Sequence, residues 1–492
     1  MTTTTFQMLV GGQSVPAASG ATYASLNPAT GEAWSTLPDG DAADVDHAVR
    51  VADAAFRSTA WRGLTASARG KLLRRLGDLV AENAGDLAEL ETRDNGKLIR
   101  ETRGQLAYLP EFFHYAAGLA DKLEGSTLPI DKADMFAFTI HEPLGVVAAI
   151  VPWNSPLYLT AIKLAPALAA GNTLVIKPSE HASASILRFA ELVALAGFPD
   201  GVVNVVTGFG AGAGAALTRH PLVRRVAFTG GAATARHVVR ATAENFAKLS
   251  LELGGKSANI VFDDADLEGA VNGAVAGIYA ASGQSCVAGS RLLVQDGIYD
   301  RFVAALRERI ARISIGDPLD PSSDMGPMAT EQQLGIVETM VARAREQGVT
   351  VLAGGKRPAA QSGWYYEPTL LECGSADLDI VQNEVFGPVA AIMRFSDEDD
   401  AIRLANGTDY ALAAGVWTRD LARGHRMARD VHAGIVWVNT YRAVSAMAPI
   451  GGYGASGYGR EGGIHAVLDY TELKTVWVNL SDQPMGDPFV MR

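Results

Sequence analysis

Between residues 145 and 231 one pattern repeats four times: an apolar run of five to seven residues, a polar or glycine-bearing turn, then a helix-like stretch. The run 145–151 leads through Pro152-Trp153-Asn154, and the run 172–176 through Lys177-Pro178-Ser179-Glu180. The run 202–206 opens on Gly208-Phe209-Gly210, and 223–228 on Thr229-Gly230-Gly231. Strands apolar on both faces need helices on both faces, which points to a parallel, doubly wound α/β sheet. Such sheets bind ligands beyond the carboxyl ends of their strands, and each polar insertion falls at one of those ends. A further strand, 248–253, runs into Gly254-Gly255. From 258 to about 455 the alternation resumes, with strands expected near 258–262, 291–295, 388–394, 411–417 and 435–438. A second α/β domain follows, since 492 residues exceed one ordinary core.

Ahead of this block, 41–56, 66–83 and 101–119 carry apolar residues at three- and four-residue spacing and read as helices. Residues 127–130 and 135–140 read as two short strands around a charged turn. Such a hairpin either pairs with another subunit or packs on its own domain. The glycine-dense end of the chain closes on an apolar strand at 475–478.

Charge and cysteine content narrow the functional classes. With 42 Lys and Arg against 54 Asp and Glu, the net charge of −12 argues against nucleic acid and anionic membranes. Two cysteines form no disulfide framework and show no zinc-type spacing, so no metal site and a reducing, cytoplasmic setting are expected. The opening Met1-Thr2-Thr3-Thr4-Thr5-Phe6 lacks a signal-peptide pattern. Lys163 interrupts the longest apolar candidate for a membrane span.

Several residues can carry chemistry. Cys286, in Gly283-Gln284-Ser285-Cys286, sits between a helix-like run and a strand, where a thiol can be reachable and rigidly aimed; the alternative is an inert buried thiol. Glu252, flanked by leucines at a strand end, is either solvent-facing by alternation or an acid with a raised pKa suited to general-base work. Asn154 can cap the following helix or aim its amide at an oxyanion. The loop at 208–213, Gly210 included and followed by the further candidate Gly214, fits a dinucleotide-type glycine pattern but lacks the downstream acid. Gly230 and Gly231 offer backbone N–H groups at a helix start. Lys177 and Glu180 are either a ribose-binding couple or a surface ion pair.

Taken together, Trp153-Asn154, Lys177 to Glu180, Phe228-Thr229-Gly230, Leu251 to Lys256, Gly283 to Cys286, Glu384 to Pro388 and Gly451 to Gly457 occur in the order seen in the aldehyde dehydrogenase superfamily. The chain resembles that superfamily over nearly its whole length. The resemblance implies NAD(P)-dependent oxidation of an aldehyde to a carboxylic acid. Cys286 would form a thiohemiacetal, hydride would leave to the nicotinamide, and Glu252 would hydrolyse the thioester. The Asn154 amide and the Cys286 N–H would hold the oxyanion. It further implies that Lys177 and Glu180 hold the adenosine ribose, Glu384 the nicotinamide ribose, and that Phe386 packs near the nicotinamide. Trp153 and the Gly230 helix start would meet phosphate, with Phe228, Gly231 and Leu253 beside the cofactor and the loop at 210 nearer the adenine. Gly231 departs from the serine common in relatives; Glu180 favours NAD, with NADP possible.

By the same resemblance, residues 1–124 and 144–253 form the cofactor-binding domain and 254–456 the catalytic domain. Residues 125–143 and 457–492 are bridging or oligomerisation segments, and a homodimer or homotetramer is implied. Ser155, Leu159, Ile162, Val287, Val444 and Ile450 suggest an aliphatic tunnel for a small aldehyde. Arg442 reads as a solvent-facing arginine near its entrance, with a contact to a carboxylated aldehyde as the alternative. The competing readings are an acylating, coenzyme A-dependent enzyme, against which a hydrolytic base at Glu252 counts, and a catalytically idle nucleotide-binding oligomer.

Overall fold

The computed structural model describes residues 4–359 and 361–490; Met1 to Thr3 of the opening segment lie outside the described residues. Two large sheets dominate. In the first, Lys248–Glu252, Val223–Thr229, Val146–Val151, Thr173–Pro178 and Val203–Val205 lie side by side and parallel. Antiparallel edges are added by Gly457–Tyr458 on one side and Met8–Val10 with Gln13–Val15 on the other. In the second, Thr369–Glu372, Val389–Phe395, Arg291–Gln295, Ala258–Val261, Ala413–Trp417 and Ile435–Val438 are parallel, with Thr350–Ala353 antiparallel at the edge. The doubly wound α/β class expected from the alternation is what forms.

The first sheet reverses its winding at Val146–Val151. From there the chain steps outward through Thr173–Pro178 to Val203–Val205, then returns to the other side at Val223–Thr229. The crevice between the ends of Val146–Val151 and Val223–Thr229 is therefore the switch point where such sheets take ligands. Trp153-Asn154 and Gly230-Gly231 flank it. The helix Pro156–Ala170 that follows is buried along nearly its whole length, Lys163 included.

Three expectations change. The helix expected over 101–119 is two, Ile99–Tyr108 and Pro110–Leu119, because Pro110 has no N–H to continue the ladder and starts the second. The helix Ala84–Asn95 and the strands Thr350–Ala353 and Thr369–Glu372 join the expected elements. The hairpin over 127–140 does not form. Thr127 makes a single bridge to Phe138, and the strand Met135–Pro143 pairs over nine residues with Thr471–Asn479.

That C-terminal crossing also closes the first sheet. Gly457 pairs with Glu252 and Tyr458 with Leu251. At Gly457, with φ of +104°, a Cβ would lie 1.9 Å from the Leu251 carbonyl oxygen, so only glycine lets the two backbones meet. Among the described residues, no helix is long and apolar enough to cross a membrane.

Candidate active site

A cavity of about 780 Å³ lies where the carboxyl ends of the first sheet meet the amino ends of the second. Cys286, Glu252, Asn154, Trp153 and Glu384 all line it. So do Gly230, Gly231, Leu253 and Phe386. Every first-sheet contribution comes at or just after the carboxyl end of its strand. In the second sheet the order is reversed: Cys286 precedes Arg291–Gln295, and Glu384 and Phe386 precede Val389–Phe395.

Cys286 follows a tight turn whose residues are held against their preferences. Ala281 and Ser282 both have φ of +52°. Ala281 N–H donates to Glu101 Oε1 at 2.8 Å, and Ser282 Oγ to the Gly326 carbonyl at 2.8 Å. Gln284 Oε1 accepts from Ala329 N–H at 2.8 Å. Strain of this kind persists only where the surroundings over-determine it, and it gathers at functional sites. Of the six non-glycine residues with positive φ among the described residues, Ala281, Phe386 and Arg442 line this cavity and Ser282 adjoins it. The Cys286 sulfur opens onto the cavity. Burial, with Glu384 and Glu252 nearby, pushes its thiol up to about 12, against the pull of Arg442 and the Val287 N–H. The resting sulfur therefore holds its proton at neutral pH, and attack requires an acceptor for it.

Asn154 does not cap the helix behind it; Ser155 occupies that position, without a side-chain cap bond. The Asn154 amide donates instead to the Gln284 carbonyl at 3.1 Å, which sets it beside the Cys286 turn. Its loop is clamped by the far end of the unexpected helix Ala84–Asn95 and by Lys97 just beyond it. Asn95 Nδ2 donates to the Trp153 carbonyl at 3.0 Å and Lys97 Nζ to Ser155 Oγ at 2.6 Å. Buried Glu91 accepts from Leu157 N–H at 3.2 Å, taking one orphan donor of the helix start.

Glu252 is buried, and its Oε1 has no hydrogen-bond partner. Burial and neighbouring Glu461 hold its carboxyl well above the ordinary range, while Lys163 and Arg460 draw it down. Glu461 also lines the cavity and is ion-paired to Lys163, both almost fully buried. This pair was not among the expected site residues. A lone lysine in an otherwise apolar helix was the available signal, since lysine is almost never fully buried unpaired.

Glu384 Oε1 accepts from Gly255 N–H at 3.0 Å, and burial raises its carboxyl to about 7. A Cβ on Gly254 would lie 1.9 Å from Glu384 Oε2. Gly254→Ala is therefore expected to displace Glu384 and, with Glu384 holding the nicotinamide ribose as the resemblance implies, to raise the Kd for NAD+ at least about tenfold, read by fluorescence titration. The Trp153 and Phe386 rings meet edge to face at 5.4 Å.

Other expected residues stand outside the cavity. Lys177 is buried at the end of Thr173–Pro178, with Nζ 3.2 Å from Glu180 Oε2, one strand along the same sheet edge. Burial lowers the Lys177 pKa. Burial pushes the Glu180 carboxyl up, but Lys177 and backbone donors hold it below its usual value. The Phe228 ring underlies Gly230. Gly210 and Gly214 belong to one turn of π-helix, and neighbouring Phe209 packs on Tyr23 at 5.3 Å. Gly231 faces open space, so no packing demand excludes a serine there. It starts the helix Ala232–Thr242 without a side-chain cap, leaving first-turn N–H groups for an anion.

Ser155, Leu159, Ile162, Val287, Val444 and Ile450 come together on the cavity wall. Arg442 is not the solvent-facing side chain expected. It is half-buried in that wall and donates from Nη1 to the Ala276 and Ala280 carbonyls at 3.2 and 3.3 Å.

The aldehyde dehydrogenase family model matches residues 15–476. The (Z)-2-((N-methylformamido)methylene)-5-hydroxybutyrolactone dehydrogenase of Acinetobacter baylyi is 54% identical over 488 residues, covering 99% of both chains. The hydroxyisobutyraldehyde dehydrogenase of Mycolicibacterium austroafricanum is 44% identical, covering 97% of this chain and 94% of the relative. Among solved structures, PnpE in complex with nicotinamide adenine dinucleotide superposes with a TM-score of 0.96 at 46% identity, covering 98% and 99% of the two chains. PnpE comes from Pseudomonas sp. WBC-3. With a cysteine, a buried acid and an aimed amide converging on one cavity, and similarity that runs nearly end to end, this chain belongs to the aldehyde dehydrogenase family.

Proposed function

We propose that the protein oxidises aldehydes to carboxylic acids with NAD, Cys286 acting as nucleophile, Asn154 as oxyanion donor and Glu252 as base. The observation that carries this reading is the convergence of those three side chains, far apart in sequence, on one cavity. Attack by sulfur on the aldehyde carbon makes a C–S bond and places negative charge on oxygen. The Cys286 N–H, which meets no acceptor among the described residues, and the Asn154 amide are the donors for that charge. Each is worth about 3 kcal/mol when aimed at the transition state. The thiol proton needs a base, and Glu252, whose affinity for protons is raised by burial and by Glu461, is the carboxylate on the cavity suited to it. Once that proton has passed to solvent, the same carboxylate takes a proton from water for hydrolysis of the thioester. Such a base counts against the acylating reading, and the three groups together count against an idle oligomer.

The residues fit a dinucleotide. Glu384 and the bare Gly254 shape one end, the uncapped helix start at Gly231 offers N–H donors to phosphate, and the Lys177–Glu180 pair stands farther along the edge as ribose acceptor and donor. Glu180 favours NAD over NADP by repelling a 2′-phosphate. When bound, NAD+ supplies the hydride acceptor. In this reading 1–124 and 144–253 hold the cofactor and 254–456 carries the nucleophile. The pair Met135–Pro143 and Thr471–Asn479 is the seam for a second copy, since Phe136, Ile140, Leu473 and Trp477 are exposed on it. Both cysteines are free, which suits a reducing cytoplasm. A panel of aldehydes assayed with NAD+ and NADP+ for absorbance at the reduced-nicotinamide band tests the reading; no signal with any aldehyde would refute it.

The Glu461–Lys163 pair tunes the base. A protonated Glu252 cannot accept, so the rate falls as pH drops through its pKa. That acid limb is expected above the ordinary glutamate range. Glu461→Gln removes a neighbouring negative charge and frees the Lys163 cation, which should move the limb to lower pH. Lys163→Met should move it higher. If neither profile moved, the pair would be uncoupled from the base.

A further inference from the structure

The turn that carries Cys286 hangs on one peptide. Ala281 and Ser282, both with φ of +52°, and Gly283, at +71°, follow one another soon after the helix Leu267–Ile278. Glycine is at ease in that conformation; alanine and serine are not. The run is entered through the peptide between Ala280 and Ala281. A trans peptide points its C=O and its N–H in opposite directions. Arg442 Nη1 donates to the Ala280 carbonyl at 3.3 Å, and Glu101 Oε1 accepts from the Ala281 N–H at 2.8 Å. Cation and anion therefore sit at opposite edges of one rigid unit. The same Nη1 also takes the Ala276 carbonyl at 3.2 Å, which ties its edge to the helix end. Glu101 comes from the first turn of the helix Ile99–Tyr108. Nearby Lys97 is already matched by buried Glu91 at 3.8 Å, so Glu101 and Arg442 are left to balance each other.

The two charges also fix which way the peptide faces. A peptide dipole is positive at its N–H and negative at its C=O. Turning this peptide over would carry Ala281 toward negative φ and relieve its strain. It would also aim the carbonyl at the Glu101 carboxylate and the N–H at the Arg442 guanidinium, and both contacts would repel. The pair thus holds the strained form against its relaxed alternative. We infer that Glu101 and Arg442 are positioning residues for the nucleophile: by gripping the two edges of the 280–281 peptide, they keep the turn in the form that presents the Cys286 sulfur to the cavity. The inference rests on the reading of Cys286 as the nucleophile. Neither side chain has to touch substrate for this. Arg442 also draws down the proton affinity of the thiol, which is the direction that helps attack.

The test compares the wild type with Glu101→Ala, Glu101→Gln, Arg442→Met, Arg442→Lys and the double variant of Glu101→Ala with Arg442→Met. Hydrogen exchange read by mass spectrometry over residues 279–286 follows the turn without any turnover. Rapid mixing with NAD+ and butanal gives the rate of the first NADH at saturating aldehyde and the concentration that half-saturates it. Glu101→Ala and Arg442→Met should each speed exchange in the turn, and each should slow the first NADH, at least about tenfold. The half-saturating concentration should move less than about threefold. Glu101→Gln keeps an acceptor oxygen and Arg442→Lys keeps a cation, so both should recover most of the rate. The double variant should fall within about threefold of the slower single, since both changes act on one peptide. Losses that multiply in the double variant, a loss confined to half-saturation, or conservative variants as slow as the truncations would overturn the clamp. Exchange over 279–286 unchanged from the wild type would overturn it too, whether or not butanal is oxidised. Should Glu101→Ala fail to fold, Glu101→Gln and the Arg442 variants carry the same comparison. No NADH from the wild type with butanal or any other aldehyde would instead refute the reading of Cys286.

Discussion

Cys286→Ala should abolish turnover, lowering kcat by about 10⁴-fold or more, while NAD+ still binds. The effect is this large because, among the described residues, no other thiol lines the cavity. The second cysteine, Cys373, is buried and lies in a different part of the second domain. The substitution removes one sulfur from a wall already open to the cavity, so the stability cost is small, about 1 kcal/mol. Loss of activity with an intact melting transition and intact NAD+ titration would therefore report chemistry. Retention of more than a few per cent of the rate would take the thiol out of the mechanism.

Glu252→Gln is expected to cut steady-state kcat by about 10²- to 10³-fold, and to do so at a particular step. Glutamine keeps the shape but cannot take a proton from water, so the acyl-enzyme should accumulate. Rapid mixing with aldehyde should then give a burst of NADH approaching one per site, followed by slow turnover. A slow rise without a burst would mean that Glu252 is needed before the thioester, to relieve Cys286 of its proton. Unchanged steady-state turnover would assign the base elsewhere. Glutamine also removes an acid that pays for burial without a partner on Oε1, so this variant should be no less stable than the wild type.

The parts of this architecture that could be read from residues alone are those written in continuous apolar runs. Parallel strands such as Val146–Val151 and Val223–Thr229 are buried on both faces, so they stand out as unbroken hydrophobic stretches, and the polar residues at their ends mark the crevice. The helix Ala84–Asn95 escaped the same reading because its buried face includes Glu91, Thr92, Asp94 and Asn95, which hydropathy counts as surface. Its far end nonetheless clamps the Asn154 loop. Long-range pairings were equally hidden. Lys163 and Glu461 are 298 residues apart, and Met135–Pro143 finds its partner only at Thr471–Asn479. Nor does periodicity say that the second sheet gives its site residues from the amino ends of its strands. Arg442 was misjudged for a related reason: composition favours an exposed arginine, and only the helix-end carbonyls at Ala276 and Ala280 show why it turns inward.

The return of the chain at Gly457–Tyr458 to the edge of the first sheet has a consequence for biogenesis. Glu252 acquires its neighbouring strand, and Lys163 its counter-ion at Glu461, only after the ribosome has added residues 457–461. A nascent chain can thus assemble most of both sheets while Glu252 still lacks its neighbouring strand, and a message cut short before residue 461 would leave Lys163 without its counter-ion.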